Sequence, residues 1–424
     1  MATRHLLPLP LIFRRLALNR PLTPLFSSNS TMTSPATKKV LIPIADGTEP
    51  MEAVITSDVL RRAGADVTVA SVEKNLRVNA SFGITLVADA LVVDCEGSSF
   101  DLISLPGGMV GANRLRDCGV LESIVKKHVE KGGLYAAICA APAGVLGSWG
   151  LLNGLKATCY PSVMDKFPSN VTKMESRVVV DGRVITSRGP GTAIEFALAL
   201  VEQLYGKDKA DEVGGFMVIR PRHGEEYTVN ELNSVGWKYD NTPQILVPIA
   251  NGSEEMEAII IIDSLRRAKA NVMVVSVEEK LQIVARWNTK IVADGLLDEA
   301  SKLQFDLIVL PGGLPGAEAF SNSEKLVNLL KNQAESNKPY GAICASPAIV
   351  LEHHGLLKGK KATAFPPLCE KLTDLSESEN RVLVDGNLIT SRGPGTAMEF
   401  ALGIVEKFFG REKALELAKT MVFV

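Results

Sequence analysis

The sequence lacks the features that mark several common classes of protein. Its six cysteines include no C-x-x-C pair, and six in 424 residues do not make a disulfide framework, so we predict no metal and no cofactor. The apolar run at residues 6–13 is short and broken by proline, and we predict no membrane span. The net charge of −2 and the absence of a basic stripe interleaved with aromatic residues argue against a nucleic-acid partner.

Acidic residues are also missing from the first 39 positions, although arginine, serine and proline are frequent there. This composition is typical of an organelle transit peptide, and a disordered leader is the alternative. We therefore predict a leader over residues 1–37 that directs the protein to an organelle, and the composition alone separates chloroplast from mitochondrion poorly. A second start at Met32 would give a cytoplasmic form.

What the sequence does contain is a duplication of a whole domain. The segment "VLIPIADGTEPMEA" (40–53) returns as "ILVPIANGSEEMEA" (245–258), and "AAICAAP" (136–142) returns as "GAICASP" (341–347). A solenoid would repeat every few tens of residues, whereas this offset is about the length of a domain. We predict a first domain over 38–220, a polar linker over 221–243 and a second domain over 244–424.

Each copy alternates short apolar runs with stretches of helical periodicity. The run "KVLIPI" reads as a buried strand, and "EPMEAVITSDVLRRAG" reads as a helix that stops at glycine. The segment "VVVDGRVITS" reads as a hairpin. Strands that alternate with helices predict an α/β fold, so we expect two tandem α/β sandwich domains with mainly parallel sheets.

Candidate site residues follow three apolar strands in each copy, and in a parallel sheet such loops meet at one edge. A cysteine between a strand and a helix resembles a nucleophile elbow, and the helix N-terminus would lower the pKa of its thiol. Backbone N–H groups of a Gly-Gly turn could stabilise an oxyanion. The candidate residues are Cys139, Glu52, Gly107, Gly108 and Ala140 in the first copy, and Cys344, Glu257, Gly312, Gly313 and Ala345 in the second.

The glutamate needs an explanation, because an ionised carboxylate would oppose a neighbouring thiolate. We therefore predict that Glu52 and Glu257 hold a proton when the thiolate is present and shuttle it to the substrate. Taken alone, a cysteine in an apolar strand could equally be a packed core residue. The joint arrangement of cysteine, glutamate and glycine pair favours a reactive thiol.

The segments "ADGTEPME", "LPGG", "AAICAAP" and "TSRGPGT" together resemble the ThiJ/PfpI family, in particular its parkinsonism-associated deglycase and glyoxalase III branch. The resemblance implies a flavodoxin-like fold, related to class I glutamine amidotransferases. It also implies glutathione-independent conversion of methylglyoxal or glyoxal to a hydroxy acid, and repair of glycated substrates under oxidative stress. Family members are commonly dimers, so we expect an internal pseudo-dimer with Arg62 and Arg267 at the domain interface. Further homo-oligomerisation is left open. The tandem arrangement resembles the plant members of the family, which favours the chloroplast as the destination of the leader, with the mitochondrion as the alternative.

One position departs from the family pattern. Where that branch often has a histidine near the cysteine, this chain has Tyr160 in one copy and Phe365 in the other. The glutamates would then carry out the proton transfers, and we expect slow turnover. The alternative function is a redox sensor or a stress-binding, chaperone-like module, in which the same cysteine is oxidised to a sulfinate.

Overall fold

Two parallel sheets, each packed against helices, account for most of the chain. The computed structural model describes residues 37–221 and 224–424. The leader predicted from the sequence lies outside the described residues but for its last position, so its role in targeting to the chloroplast stays a prediction. The described residues form one compact unit, which contains both repeats.

The first repeat contains eleven strands and five α-helices among its described residues. The strands are β1 (Lys39–Ile44), β2 (Asp66–Ser71), β3 (Arg77–Asn79), β4 (Thr85–Val87), β5 (Ala90–Leu91), β6 (Leu102–Leu105), β7 (Leu134–Ile138), β8 (Lys156–Ala157), β9 (Thr172–Lys173), β10 (Val178–Asp181) and β11 (Val184–Ser187). The helices are α1 (Pro50–Arg62), α2 (Met109–Arg116), α3 (Gly119–Glu130), α4 (Ala193–Tyr205) and α5 (Lys207–Met217).

The second repeat follows a similar order. Its strands are β12 (Asn230–Leu232), β13 (Gln244–Ile249), β14 (Asn271–Ser276), β15 (Gln282–Val284), β16 (Lys290–Val292), β17 (Gly295–Leu296), β18 (Leu307–Leu310), β19 (Tyr340–Ile343), β20 (Val382–Asp385) and β21 (Leu388–Ser391). Its helices are α6 (Glu255–Arg267), α7 (Leu297–Ala300), α8 (Leu314–Asn322), α9 (Glu324–Glu335), α10 (Ala397–Phe409) and α11 (Arg411–Thr420). Strand β12 and helix α7 are additional, and no strands lie in the places of β8 and β9 among the described residues of this repeat. A single π-helical turn follows β7 at Pro142–Gly147 and follows β19 at Pro347–Glu352.

The sheet order explains where the site lies. The first sheet runs β10-β11-β7-β6-β1-β2-β5, and the second runs β12-β20-β21-β19-β18-β13-β14-β17. All pairs in them are parallel except the predicted hairpin β10–β11 and its counterpart β20–β21. Because β7, β6 and β1 are adjacent and parallel, the loops at their carboxyl ends meet at one edge. The α/β fold with mainly parallel sheets, predicted from the sequence, is confirmed.

Local sequence explains the element next to that edge. Strand β1 is buried at every position after Lys39, as expected for an apolar run in the middle of a parallel sheet. Helix α1 begins after Glu49, whose side chain accepts a hydrogen bond from the Glu52 N–H at 2.7 Å, and Pro50 fills the first helical position. This cap places Glu52 in the first turn, directly beyond the end of β1.

The segment predicted as a linker also contributes to the second domain. Strand β12 pairs with β20 in parallel register, which extends that sheet to eight strands. The indole Nε1–H of Trp237 donates to the carbonyl of Gly386 at 3.0 Å, and the ring packs edge-on against Phe408. The polar composition of the segment concealed this strand, because β12 is only three residues long.

Backbone pairing joins the two repeats directly. Strand β4 of the first repeat pairs with β16 of the second, so the two β-hairpins form one four-stranded antiparallel sheet, β15-β16-β4-β3. Helices α1 and α6 pack against each other beside it. Because the two hairpins share ladder hydrogen bonds, the edges of β4 and β16 cover each other.

Buried ion pairs cross the same interface. Arg267 donates to Glu49 of the first repeat at 2.8 Å, and Arg62 donates to Glu254 of the second at 2.6 Å. Each arginine also pairs with an aspartate one helical turn earlier, Asp263 or Asp58. The placement of Arg62 and Arg267 at the interface agrees with the internal pseudo-dimer expected from the family resemblance.

The C-terminal segment of each repeat packs on the other repeat. The Gly191 N–H donates to the carbonyl of Met421 at 2.7 Å, and Arg177 donates to the carbonyl of Val422 at 2.9 Å. In the symmetric contact, Arg381 donates to the carbonyl of Val218 at 3.0 Å. The segments after α5 and α11 are therefore exchanged between the repeats. Within the described residues, no helix is both long and apolar enough to cross a bilayer.

We expect Arg267→Met to destabilise the chain by roughly 3 kcal/mol, because Glu49 and Asp263 would be left buried without a cation. The measurement is the midpoint of urea unfolding. The control is Arg116→Met, which removes an exposed pair with Asp117 and should leave the midpoint unchanged. Equal midpoints for the two variants would show that the interfacial pair adds no stability.

Candidate active site

Cys139 lies on a strained turn directly after β7. Its φ is 64°, and Cys344 has a φ of 65°, in the left-handed region that residues with a side chain rarely adopt. The turn is fixed on both sides, since the Cys139 N–H donates to the Ser187 carbonyl and the Cys139 carbonyl accepts from the Tyr160 N–H. The backbone therefore has the form of the elbow expected from the sequence, in both copies.

Glu52 reaches the same point from α1. Its side chain is fully buried, its Oε2 accepts the Gly107 N–H at 2.7 Å, and it shares a hydrogen bond with the Cys139 thiol. The other oxygen, Oε1, has no hydrogen-bond partner of good geometry among the described residues, and the carboxyl lies close enough to the Cys139 thiol for each to shift the pKa of the other. In the second copy, Glu257 accepts the Gly312 N–H at 2.7 Å and bonds Cys344 in the same way.

The glycines are required by how closely these groups approach. A Cβ on Gly107 would lie 2.7 Å from the Cys139 Cβ and 2.8 Å from Glu52 Oε2. A Cβ on Gly108 would lie 2.3 Å from the Gly47 carbonyl oxygen, and the φ of Gly108 is 85°. Gly312 and Gly313 are equally crowded. Only glycine therefore lets the β6 loop approach the cysteine and the glutamate.

The same contacts correct one prediction. Gly107 and Gly312 were expected to stabilise an oxyanion, but their N–H groups already bond the glutamate carboxyls. This part of the prediction was wrong, because the buried carboxyl needs a donor of its own. The Gly108 N–H instead bonds the Cys139 sulfur, and the Gly313 N–H bonds that of Cys344. The remaining candidate donors to an oxyanion are the N–H groups of Ala140 and Ala345.

The electrostatics of the pair also differ from the first expectation. Burial raises the pKa of Glu52 to about 7, although hydrogen bonds from Cys139 and Gly107 act to lower it. Burial and an ionised Glu52 raise the pKa of the Cys139 thiol well above its usual range, and the Gly108 N–H lowers it less. The sequence led us to expect that the helix N-terminus lowers the pKa of this thiol, whereas burial and the carboxylate raise it. The pair can carry one charge, and whether the thiolate carries it stays a prediction.

Tyr160 and Phe365 occupy the position next to the elbow where the family often has a histidine. The Tyr160 N–H donates to the Cys139 carbonyl, and the Phe365 N–H donates to the Cys344 carbonyl, each at 2.8 Å. The Tyr160 hydroxyl is used elsewhere, because it donates to the Thr420 carbonyl of the other repeat at 2.9 Å. Burial raises the pKa of the Tyr160 phenol above its ordinary value, so the hydroxyl keeps its proton near neutral pH and does not act as a base. The glutamate is the group in contact with the thiol that can move a proton.

A set of buried carboxyls behind the sites was not singled out from the sequence. Glu49 caps the helix that carries Glu52, and its partner Arg267 comes from the other repeat. Asp58, Glu254 and Glu255 offer oxygens within 4.8 Å of one another, a spacing that could suit a metal ion. Arg62 already pairs with Asp58 and Glu254, so a guanidinium neutralises this cluster. The recurrence of Glu49 and Glu254 in both copies was the available signal.

The fold and the site together define a class: a tandem α/β protein in which each repeat carries a buried glutamate and a cysteine on a strand-end turn. The DJ-1/PfpI family model matches the chain twice, over residues 38–203 and 243–407. The chain therefore belongs to the DJ-1/PfpI family, which confirms the family predicted from the motifs and the flavodoxin-like fold that it implied.

Relatives match the tandem arrangement as well. The chain is 65% identical over 394 residues to Protein DJ-1 homolog B of Arabidopsis thaliana, covering 93% of this chain and 90% of that protein. It is 60% identical over 384 residues to Protein DJ-1 homolog A of the same plant, covering 90% and 98%. It is also 39% identical over 175 residues to Glutathione-independent glyoxalase DJR-1.2 of Caenorhabditis elegans, covering 41% and 91%. The chain is thus similar to plant members over nearly its whole length.

The strained turn predicts an unusual order of stability. We expect Cys139→Gly to be more stable than Cys139→Ala by about 1 kcal/mol, because glycine accepts a positive φ without strain. Both variants should be compared by urea unfolding. At buried Cys159, which is not among the residues with positive φ, alanine should be the more stable replacement. The same order at both positions would contradict strain at the elbow.

Glu52→Gln tests which group of the pair carries the charge. If the thiolate does and Glu52 holds the proton, glutamine is a weaker donor and the pKa of Cys139 should rise by about one unit or more. If Glu52 is the ionised group, the variant removes a repelling charge and the pKa should fall. The pH dependence of iodoacetamide labelling at Cys139 measures this, and Glu257→Gln should leave that titration unchanged.

Proposed function

We propose that the protein is a glutathione-independent glyoxalase that converts methylglyoxal to lactate and glyoxal to glycolate at its cysteines. The observation that carries the proposal is the buried Cys139–Glu52 pair, with its duplicate at Cys344 and Glu257. It places a nucleophile and a proton carrier in contact, as this reaction needs. Similarity to a relative whose name states glutathione-independent glyoxalase activity supports the same reaction.

The reaction can be followed through the residues of the first copy. The Cys139 sulfur adds to the aldehyde carbon, Glu52 gives its proton to the oxygen, and a hemithioacetal forms. Glu52 then takes the hydrogen of that carbon as a proton and returns it to the neighbouring carbon, while the hydroxyl proton of the hemithioacetal passes to the ketone oxygen, so that the ketone is reduced to an alcohol. The aldehyde carbon is thereby oxidised to a thioester. Water hydrolyses the thioester, which releases lactate and restores the thiol, so that no outside oxidant or reductant is needed.

The position of Glu52 suits these transfers. The carboxyl is held at Oε2 by the Gly107 N–H, so its orientation is fixed while Oε1 handles the proton. Its pKa of about 7 allows it to give and take a proton near neutral pH. Because Tyr160 and Phe365 replace the imidazole, one carboxyl must serve every proton transfer in each copy. We therefore expect slow turnover.

The same addition chemistry extends to early glycation adducts, which carry the hemithioacetal or hemiaminal form of the same dicarbonyl. We propose this deglycase activity as a second use of the site under carbonyl and oxidative stress. The alternative remains a redox sensor, in which Cys139 is oxidised to a sulfinate that the Gly108 N–H can bind.

Lactate formation from methylglyoxal without glutathione tests the proposal. We expect activity in the wild type, partial loss in Cys139→Ser and in Cys344→Ser, and loss of at least about a hundredfold in the double variant. Cys159→Ser, which changes a buried cysteine outside the pair, is the control and should stay active. An inactive wild type would overturn the enzyme proposal. A sulfinate at Cys139 after mild peroxide, found by mass spectrometry in such an inactive protein, would favour the sensor.

A further inference from the structure

The site at Cys344 opens into a cavity much larger than a three-carbon dicarbonyl. The cavity has a volume of about 520 Å³, and its walls are mostly apolar. Aromatic rings come from Phe216, Trp287 and Phe365, and Leu314 and Leu368 add aliphatic surface. A space of this size with apolar walls is typical of sites for larger organic molecules.

The other repeat supplies one of these walls. Phe216 lies on α5 of the first repeat, and 66% of its surface is exposed although it is a large apolar side chain. Val213, one turn earlier, also lines the cavity. An exposed phenylalanine costs solvation free energy unless something covers it. Phe216 lines the cavity that contains Cys344, so a ligand bound in that cavity would cover its ring.

Trp287 is held in place from three directions. The carboxylate of Glu255 accepts the backbone N–H of Trp287 at 3.0 Å, and Arg61 of the first repeat donates to the backbone carbonyl of Trp287 at 2.9 Å. The Arg62 guanidinium lies 5.0 Å from the centre of the indole ring. These contacts fix the backbone at Trp287 and place a cation beside its ring, so less conformational freedom is lost when a ligand packs against the ring.

Three matched positions around Cys139 are more polar, whereas Phe82 keeps an aromatic ring at the position of Trp287. Phe216 corresponds to Thr420, Phe365 to Tyr160 and Pro367 to Ser162. The Tyr160 hydroxyl donates to the Thr420 carbonyl, so polar atoms meet where the second site has two apolar rings. Pro50 is the residue matched to Glu255, and Phe82 is the residue matched to Trp287. The first copy therefore lacks the carboxylate that accepts the backbone N–H at this position in the second copy. The two sites thus surround the same cysteine–glutamate pair with walls of different polarity.

We infer that the two sites divide the substrates by size. The Cys344 site accepts 2-oxoaldehydes that carry an aryl or long alkyl group, and the Cys139 site accepts small polar ones such as methylglyoxal. This inference rests on the proposed glyoxalase function. Its physical basis is that the aryl group is removed from water against Phe216, Trp287 and Phe365, whereas the Cys139 site has fewer apolar contacts to give.

Turnover of two substrates by the single-site variants tests this. Cys139→Ser leaves the Cys344 site, and Cys344→Ser leaves the Cys139 site, each in the full chain. We expect the ratio of kcat/KM for phenylglyoxal to kcat/KM for methylglyoxal to be about tenfold or more higher in Cys139→Ser, a size typical for filling an apolar pocket. Equal ratios in the two variants would overturn the inference.

Exchange of the wall residues sharpens the test. In the Cys139→Ser background, Phe216→Thr should lower that ratio about fivefold, and in the Cys344→Ser background, Thr420→Phe should raise it. Both positions are exposed, so neither change threatens the fold. The control is Leu303→Thr, an exposed apolar position that does not line the cavity, which should leave the ratio unchanged. If neither Phe216→Thr nor Thr420→Phe changes the ratio of the two kcat/KM values, these residues do not determine the preference for the aryl substrate.

A measurement without turnover separates this inference from the proposed reaction. Cys139 and Cys344 of the wild type are labelled with N-phenylmaleimide and with N-methylmaleimide, and the rate at each cysteine is read by mass spectrometry. We expect the phenyl reagent to be favoured at Cys344 relative to Cys139. This preference in a protein that forms no lactate would overturn the reaction and support the aryl-binding site. Lactate formation without this preference would support the reaction and overturn the division of substrates.

Discussion

The structure depends on two acidic side chains that are buried in contact and cannot both be charged. Glu52 and Cys139 share one hydrogen bond, and burial raises the pKa of each. The rest of the site follows from holding this pair together. The left-handed turn brings the sulfur forward, a glycine N–H fixes the far oxygen of the carboxyl, and a second glycine N–H reaches the sulfur. The strain and the burial are the cost of keeping one mobile proton between two atoms.

The second repeat is part of this arrangement. Glu49, which caps the helix that carries Glu52, is neutralised by Arg267 from the other repeat. Without that cation, a second buried negative charge would lie beside the pair and would oppose its ionisation. The C-terminal segment of the second repeat also reaches the first site, through the carbonyl that accepts the Tyr160 hydroxyl. Each site is therefore completed by residues of the opposite repeat, which explains why the two repeats make so many contacts with each other.

Periodicity and repetition made the fold predictable, because buried parallel strands are apolar throughout and the motif order repeats once. The convergence of Cys139, Glu52 and Gly107 was predictable for the same reason, since loops after parallel strands meet at one edge. It was not predictable from the sequence which acceptor each glycine N–H would bond. Gly107 and Gly108 are neighbours in sequence, yet the N–H of Gly107 bonds the Glu52 carboxyl and that of Gly108 bonds the Cys139 sulfur. Only the three-dimensional structure distinguishes these two roles. Strand β12 and the role of Phe216 were missed because each depends on a partner far away in sequence.

Because both repeats lie in one chain, their two sites need not have the same sequence, unlike the sites of a dimer of identical chains. In such a dimer both sites must have the same walls, because one gene encodes both. Here, one copy has Pro50 and the other has Glu255 at the matched position, and Glu255 fixes the backbone at Trp287 in the second copy alone. The cysteine–glutamate pair, the glycines and the interfacial arginines keep their geometry in both copies, because each is fixed by a buried neighbour. The exposed pair of matched positions, Phe216 and Thr420, has no such neighbour, so there the copies can differ with little loss of stability.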